Sequence, residues 1–128
     1  MIVIDTSAVM AIVQNEPSAP ACQIAIAHSD IILISAATVT ESLVVGRMRS
    51  VGSEIETLLS RLDCEIVPIT ETRARLAANA YLRWGKGVHP ARLNFGDCFA
   101  YALAREHDCP LLFVGDDFSR TDVTAALA

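Results

Sequence analysis

Four short strand-like runs recur along this chain with helical patterns between them: Met1-Ile2-Val3-Ile4, Ile31-Ile32-Leu33-Ile34, Ile66-Val67-Pro68-Ile69 and Leu111-Leu112-Phe113-Val114. Strands that are apolar throughout must be covered on both faces, so the alternation dictates an α/β fold with a central, mainly parallel sheet between helical layers. The strands are expected over residues 2–5, 31–35, 65–69 and 111–114, with Pro68 marking an edge or a strand end. Helical periodicity covers residues 8–13, 18–28, 37–50, 53–62, 71–84 and 97–107, and Gly85 to Pro90 reads as a loop. The chain has 128 residues and shows no internal repeat, low-complexity tract or linker, so residues 1–128 are expected to form a single domain.

Ligands of such sheets bind outside the carboxyl ends of the strands, and acids stand at that edge. Asp5 ends the first run and Asp116 follows the fourth. Asp97 opens the helical run Cys98 to Ala104, and Glu41 lies in a helix leaving the second strand, sharing a face with Val44, Val45 and Met48 and so pointing inward or along the rim. Each has an ordinary explanation: Asp5 and Asp116 suit turns, and Asp97 suits the N3 partner of an Asn94 cap. Glu41 is harder to explain that way, because a helical position among apolar neighbours usually holds another hydrophobe. Two carboxylates about 4 Å apart repel by roughly 4 kcal/mol at an effective dielectric of 20, so four gathered together call for a cation. Oxygen ligands without His or Cys suit a hard ion such as Mg²⁺ better than zinc.

Other chemistries find less support. Cys22, Cys64, Cys98 and Cys109 form no C-x-x-C pair and have no His at zinc-finger spacing, so reduced thiols are expected. His28, His89 and His107 are scattered. The longest uncharged stretch, between Glu16 and Asp30, is too short to span a membrane, and the first basic residue is Arg47, so neither a membrane span nor an export signal is expected and the cytoplasm is the expected location. The net charge of −5 argues weakly against nucleic acid, yet residues 73–96 contain no acid and carry Arg73, Arg75, Arg83, Lys86 and Arg92. A basic strip beside an acidic metal site suits phosphodiester cleavage; a solvated helix face with an arginine-rich loop is the plainer alternative.

The motifs resemble those of a known family. Val3-Ile4-Asp5-Thr6-Ser7-Ala8, Ser35 to Glu41, Leu93-Asn94-Phe95-Gly96-Asp97-Cys98-Phe99-Ala100-Tyr101-Ala102-Leu103-Ala104 and Leu112-Phe113-Val114-Gly115-Asp116-Asp117-Phe118 are similar, in order, to the four motifs of the PIN-domain ribonucleases, and within them of the VapC-type toxins of bacterial toxin-antitoxin pairs. The third is the most specific, and the resemblance runs over essentially the whole chain. It implies a three-layer α/β/α fold and a Mg²⁺-dependent endoribonuclease, with Mn²⁺ a possible substitute. The catalytic acids would be Asp5, Glu41, Asp97 and Asp116, with Asp5 and Asp97 as direct metal ligands. Asp116 is preferred over the nearby Asp117 and Asp122 as the residue closest to the strand end. Ser7 would support the site through its hydroxyl or cap the following helix, and the five basic residues would contact RNA. Implied partners are RNA, a second copy of the chain in a homodimer, and a cognate antitoxin whose C-terminal segment enters the acidic groove. Two rival readings are a phospho-acceptor domain, which would ordinarily need a Lys after a late strand where this chain has only Lys86, and a PIN-like module that binds without cutting.

Overall fold

Alternate side chains on three of the four strands feed two different cores, which is why those runs are apolar without interruption, whereas the edge strand 65–67 buries only Val67. In the computed structural model, which describes residues 1–127, the strands are β1 (Ile2–Ile4), β2 (Ile32–Ser35), β3 (Glu65–Val67) and β4 (Leu111–Leu112), all paired in parallel in the order β3-β2-β1-β4. Val3, Leu33, Val67 and Leu111 enter one core with α5 (Glu71–Trp84) and α6 (Phe95–Glu106). Ile2, Ile4, Ile34 and Leu112 enter the other with α1 (Thr6–Val13), α2 (Ala19–Ala27) and α4 (Gly52–Arg61), with Val39, Leu43 and Val45 of α3 (Ala36–Met48) packed at its edge. Ile4, Ile34, Leu111 and Leu112 are fully buried, and each such side chain contributes about 1.5–3 kcal/mol. The three-layer α/β/α arrangement follows from that division.

The strand order also fixes where a ligand can enter. From β1 the chain steps to β2 and then β3, and its last crossover, through α5 and α6 on the opposite face, returns it to the far side of β1. The direction of winding therefore reverses between β1 and β4, and at such a point the loops beyond the strands diverge and leave a crevice. Asp5 N donates to Leu112 O at 3.0 Å and clamps the two strand ends together there.

Two local expectations are corrected. Of the two roles expected for Ser7 the cap falls to Asp5, which accepts from Ser7 N so that helix α1 starts at Thr6, while the other, a hydroxyl bonded to a carboxylate, is the one present. Along α3 the apolar stripe is not the buried face: Val44 and Met48 are exposed, whereas Thr38, Ser42 and Gly46 are buried. Small residues there admit close packing, and a Cβ on Gly46 would strike Ile55 Cγ1 at 2.6 Å. The β3 strand ends at Val67, just before Pro68, as an edge. Cys22, Cys64, Cys98 and Cys109 are all free thiols. Among the described residues no helix is long and apolar enough to cross a membrane.

Candidate active site

Asp5 closes β1 and opens α1, so a single residue ends the strand, caps the helix and faces the crevice. Its Oδ2 accepts from Ser7 N at 3.0 Å and from Ser7 Oγ at 2.6 Å, while its Oδ1 is buried without a hydrogen-bond partner. Ser7 Oγ accepts in turn from Val114 N at 3.0 Å, tying the carboxylate to the chain leaving β4. Burial is the main cause that lifts Asp5 to a pKa of about 6, against the two Ser7 hydrogen bonds, and the charge of Glu41 adds to the rise.

Asp97 sits at the third position of α6 in a reciprocal capping box with Asn94. Asp97 N donates to Asn94 Oδ1 at 2.8 Å, and Asn94 N donates to Asp97 Oδ2 at 3.0 Å. The cap uses one carboxylate oxygen and leaves the other for the cleft, so the structural and the chemical roles coexist. Desolvation comes first among the causes that raise Asp97 to about 7, and the charges of Asp5, Asp117 and Glu41 push the same way. These acids therefore feel one another.

Glu41, one turn into α3, turns to the same cleft. Its Oε1 accepts from Thr6 Oγ1 at 2.5 Å, and its carboxylate lies so close to Gly96 that any Cβ there would overlap it. A side chain at 96 would therefore displace the Glu41 carboxylate where α3 meets α6. The cleft is lined by Asp5, Thr6, Ser7, Glu41, Asn94, Asp97, Asp117 and Phe118 around the acids, and extends over Met10, Val45, Glu16 and Arg49.

Asp116, expected as the fourth acid, is not on that lining, whereas Asp117 is. Gly115 takes φ +99°, a left-handed conformation that bends the chain after β4, and the Asp116 carbonyl is held by Ser119 N at 3.1 Å and Ser119 Oγ at 2.6 Å. After this turn it is the next residue, exposed Asp117, that lines the cleft. Asp122 belongs elsewhere: it accepts from Tyr101 Oη, which itself accepts from Trp84 Nε1 at 2.9 Å, and it pairs with Arg83 at 3.5 Å and Arg105 at 3.8 Å.

The basic residues read from the sequence also lie off the cleft lining. Arg73 makes a two-pronged bond to Glu106, Arg75 pairs with Glu71, and Arg83 joins Asp122 while stacking over Trp84. Lys86 edges an apolar groove between α5 and α6, and Arg92 occupies a left-handed loop position with φ +57°. Carboxylates close in space, though distant or unremarked in sequence, neutralise the three arginines. Thr6, Gly96, Asp117 and Arg49 are cleft residues that sequence reading passed over or set second; only the Gly-Asp pair of the third motif and the doubled acid of the fourth carried a signal for any of them.

The donor set suits a hard divalent cation. Asp5 Oδ1 is a buried acceptor lacking a partner, and the ring around it supplies oxygen and neither His nor Cys. Among the described residues no group of three or more Asp, Glu, His or Cys side chains is placed to hold a metal ion between them, so any ion here would rest on fewer protein ligands.

The PIN domain family model matches residues 2–123. The chain is 41% identical to ribonuclease VapC28 of Mycobacterium tuberculosis over 129 aligned positions, covering 98% of this chain and 97% of that protein. Its fold is similar to the crystal structure of VapC20 of the same organism, described as a sarcin-ricin loop cleaving toxin, with TM-score 0.80 and 16% identity over the whole of both chains. A toxin-antitoxin complex from Klebsiella pneumoniae is also similar, at TM-score 0.71 and 19% identity, over 95% of this chain and 93% of that one.

Proposed function

The chain belongs to the PIN-domain family, among the VapC-type ribonucleases, and from that membership we propose that Asp5, Glu41, Asp97 and Asp117 are the acids with which it hydrolyses RNA as the toxin of a toxin-antitoxin pair. The observation that carries this assignment is the pairing of two buried carboxylates at the switch point of the sheet, one of them with an unsatisfied oxygen. A bound Mg²⁺, or Mn²⁺ in its place, would neutralise charge on the scissile phosphate and make an attacking water more acidic. Asp5 and Asp97 are the residues that would hold it, each already fixed through one oxygen by the start of a helix.

The other groups orient and move protons. Thr6 pins Glu41 through Oε1, which leaves Oε2 free to accept a proton from the attacking water. Ser7 keeps Asp5 turned inward and locks the loop after β4 against it. The antitoxin partner is a protein that covers this cleft, and a basic side chain from it would satisfy the same carboxylates. The protein is a homodimer in this reading, in which a second copy covers the exposed Leu82 and Phe95 of the α5 and α6 surface; sedimentation as a single chain would refute that part.

The test of the assignment is cleavage of RNA by the purified protein with Mg²⁺, with Mn²⁺ and in EDTA. Cleavage should require either ion and fall by roughly a hundredfold or more in Asp5→Asn and in Asp97→Asn. Full activity in EDTA, or in both variants, would overturn it.

A further inference from the structure

A cleft ringed by carboxylates repels the phosphates of its own substrate, so some cation of the chain must hold the strand on either side of the point of cleavage. The basic strip on α5 does not reach the cleft lining. Arg49 does, from the C-terminal end of α3. Glu41, Val45 and Arg49 follow one another at intervals of four residues and all line the cleft, which places Arg49 two turns, about 12 Å, along the axis from the acid on the same helix.

Two features set Arg49 apart from the arginines of the basic strip that are paired. Its Nη1 donates to Gln14 Oε1 at 2.8 Å, so the C-terminal ends of α1 and α3 aim the guanidinium together. Among the described residues it makes no ion pair, although Glu16 shares the lining, whereas Arg73, Arg75 and Arg83 pair with carboxylates; Arg47, Arg61, Arg92 and Arg120 make no ion pair either, but they lie off the cleft lining. A guanidinium has five donors in a fixed fork, and one bond to an amide leaves an edge that matches two phosphate oxygens.

We propose that Arg49, aimed by Gln14, grips a backbone phosphate of single-stranded RNA flanking the phosphate that is cut. The inference rests on the ribonuclease reading of the cleft and adds the contact that sets the path of the strand across it. Glu41 and Arg49 mark two points of that path, which runs along α3 and past the end of α1. Arg49 touches substrate away from the reacting atoms, so its loss weakens binding and leaves the rate of the bound complex nearly unchanged.

The experiment uses the Asp97→Asn protein, in which cleavage is expected to be slowed at least about a hundredfold, and a fluorescent mixed-sequence 12-nucleotide single-stranded RNA in Mg²⁺, with binding read by anisotropy across a salt series. Adding Arg49→Ala should weaken binding about tenfold and reduce the slope of log affinity against log salt by about 0.7. Arg49→Lys should restore the slope while recovering only part of the affinity, and Gln14→Ala should weaken binding without changing the slope. An unchanged affinity and slope in Arg49→Ala, or no measurable binding when Arg49 is present, overturns the proposal. A lowered melting temperature in Arg49→Ala with unchanged binding would mark Arg49 as a helix-end tie to Gln14 and overturn it equally. Cleavage by the unsubstituted protein is scored separately: cleavage with no Arg49 effect sinks only this contact, and an Arg49 effect with no cleavage sinks the nuclease reading.

Discussion

Gly96 is the residue on which the geometry of the acids turns. A Cβ at 96 would fall on the Glu41 carboxylate, which is the mobile end of a flexible side chain and can swing aside at little cost to the fold. Alanine also favours a helical position over glycine by up to about 1 kcal/mol. Gly96→Ala should therefore melt no lower than the parent while its activity falls by up to about a hundredfold, since displacing a catalytic group by an ångström can cost that much. A variant that cuts RNA at the parental rate would show that the position of Glu41 is immaterial. The neighbouring acids of the fourth motif offer a second check at this scale. Asp117→Asn should lose at least about tenfold in rate and Asp116→Asn should stay near the parent, because the turn at Gly115 presents only the second of the pair to the cleft. The reverse ranking would return the role to Asp116.

At the scale of elements, the site is made where helices begin. Asp5 caps α1 and Asp97 completes the cap of α6, so two helix starts deliver two carboxylates to one crevice, where partial positive charge at each start favours anions. Burial outweighs that help at both positions, since both pKa values rise. Removing the charge at Asp97 while keeping its shape should then stabilise the metal-free chain. Asp97→Asn is expected to melt higher than the parent in EDTA, to lose the further stabilisation that Mg²⁺ gives the parent, and to cut RNA poorly. A lower melting temperature in EDTA would mean that the carboxylate serves α6 more than it strains the site. The helix boundaries themselves lay within a few residues of those the periodicity predicts. The buried face of α3 was not legible, because close approach to α4 rewards small Thr38, Ser42 and Gly46 there, and hydrophobicity alone does not reveal it.

For the whole molecule, collecting acids from four segments at one edge makes folding itself sensitive to pH and to cation. Asp5, at about 6, and Asp97, at about 7, keep their protons in the folded chain over a range where an unfolded chain, with carboxyls near 3.8, has released them. The unfolded state binds fewer protons between roughly pH 4 and 7, so the stability of the metal-free protein should fall as pH rises through that window and level off above it. Excess Mg²⁺ binds the folded, ionised site and should offset the fall, most of all near and above pH 7. Thermal melts from pH 4 to 8, with EDTA and with Mg²⁺, measure both effects. Curves that coincide at pH 7.5 would separate the acids from any cation.

Sequence alone determined the α/β/α layering, because two-sided apolar strands and helical periodicity are local properties of the chain. It also placed Asp5, Glu41 and Asp97 together, because loops at one end of a parallel sheet share an edge whatever their details. Tertiary structure decided the rest. With a glycine in the left-handed region between them and β4, Asp117 and not Asp116 came to line the cleft, the helix cap fell to Asp5 and left Ser7 as its clamp, and carboxylates from other segments paired with Arg73 and Arg83 while Arg49 made no ion pair at the cleft. Which way a side chain faces and which charge it meets depend on distances between segments far apart in the chain, and spacing along a sequence does not carry those distances.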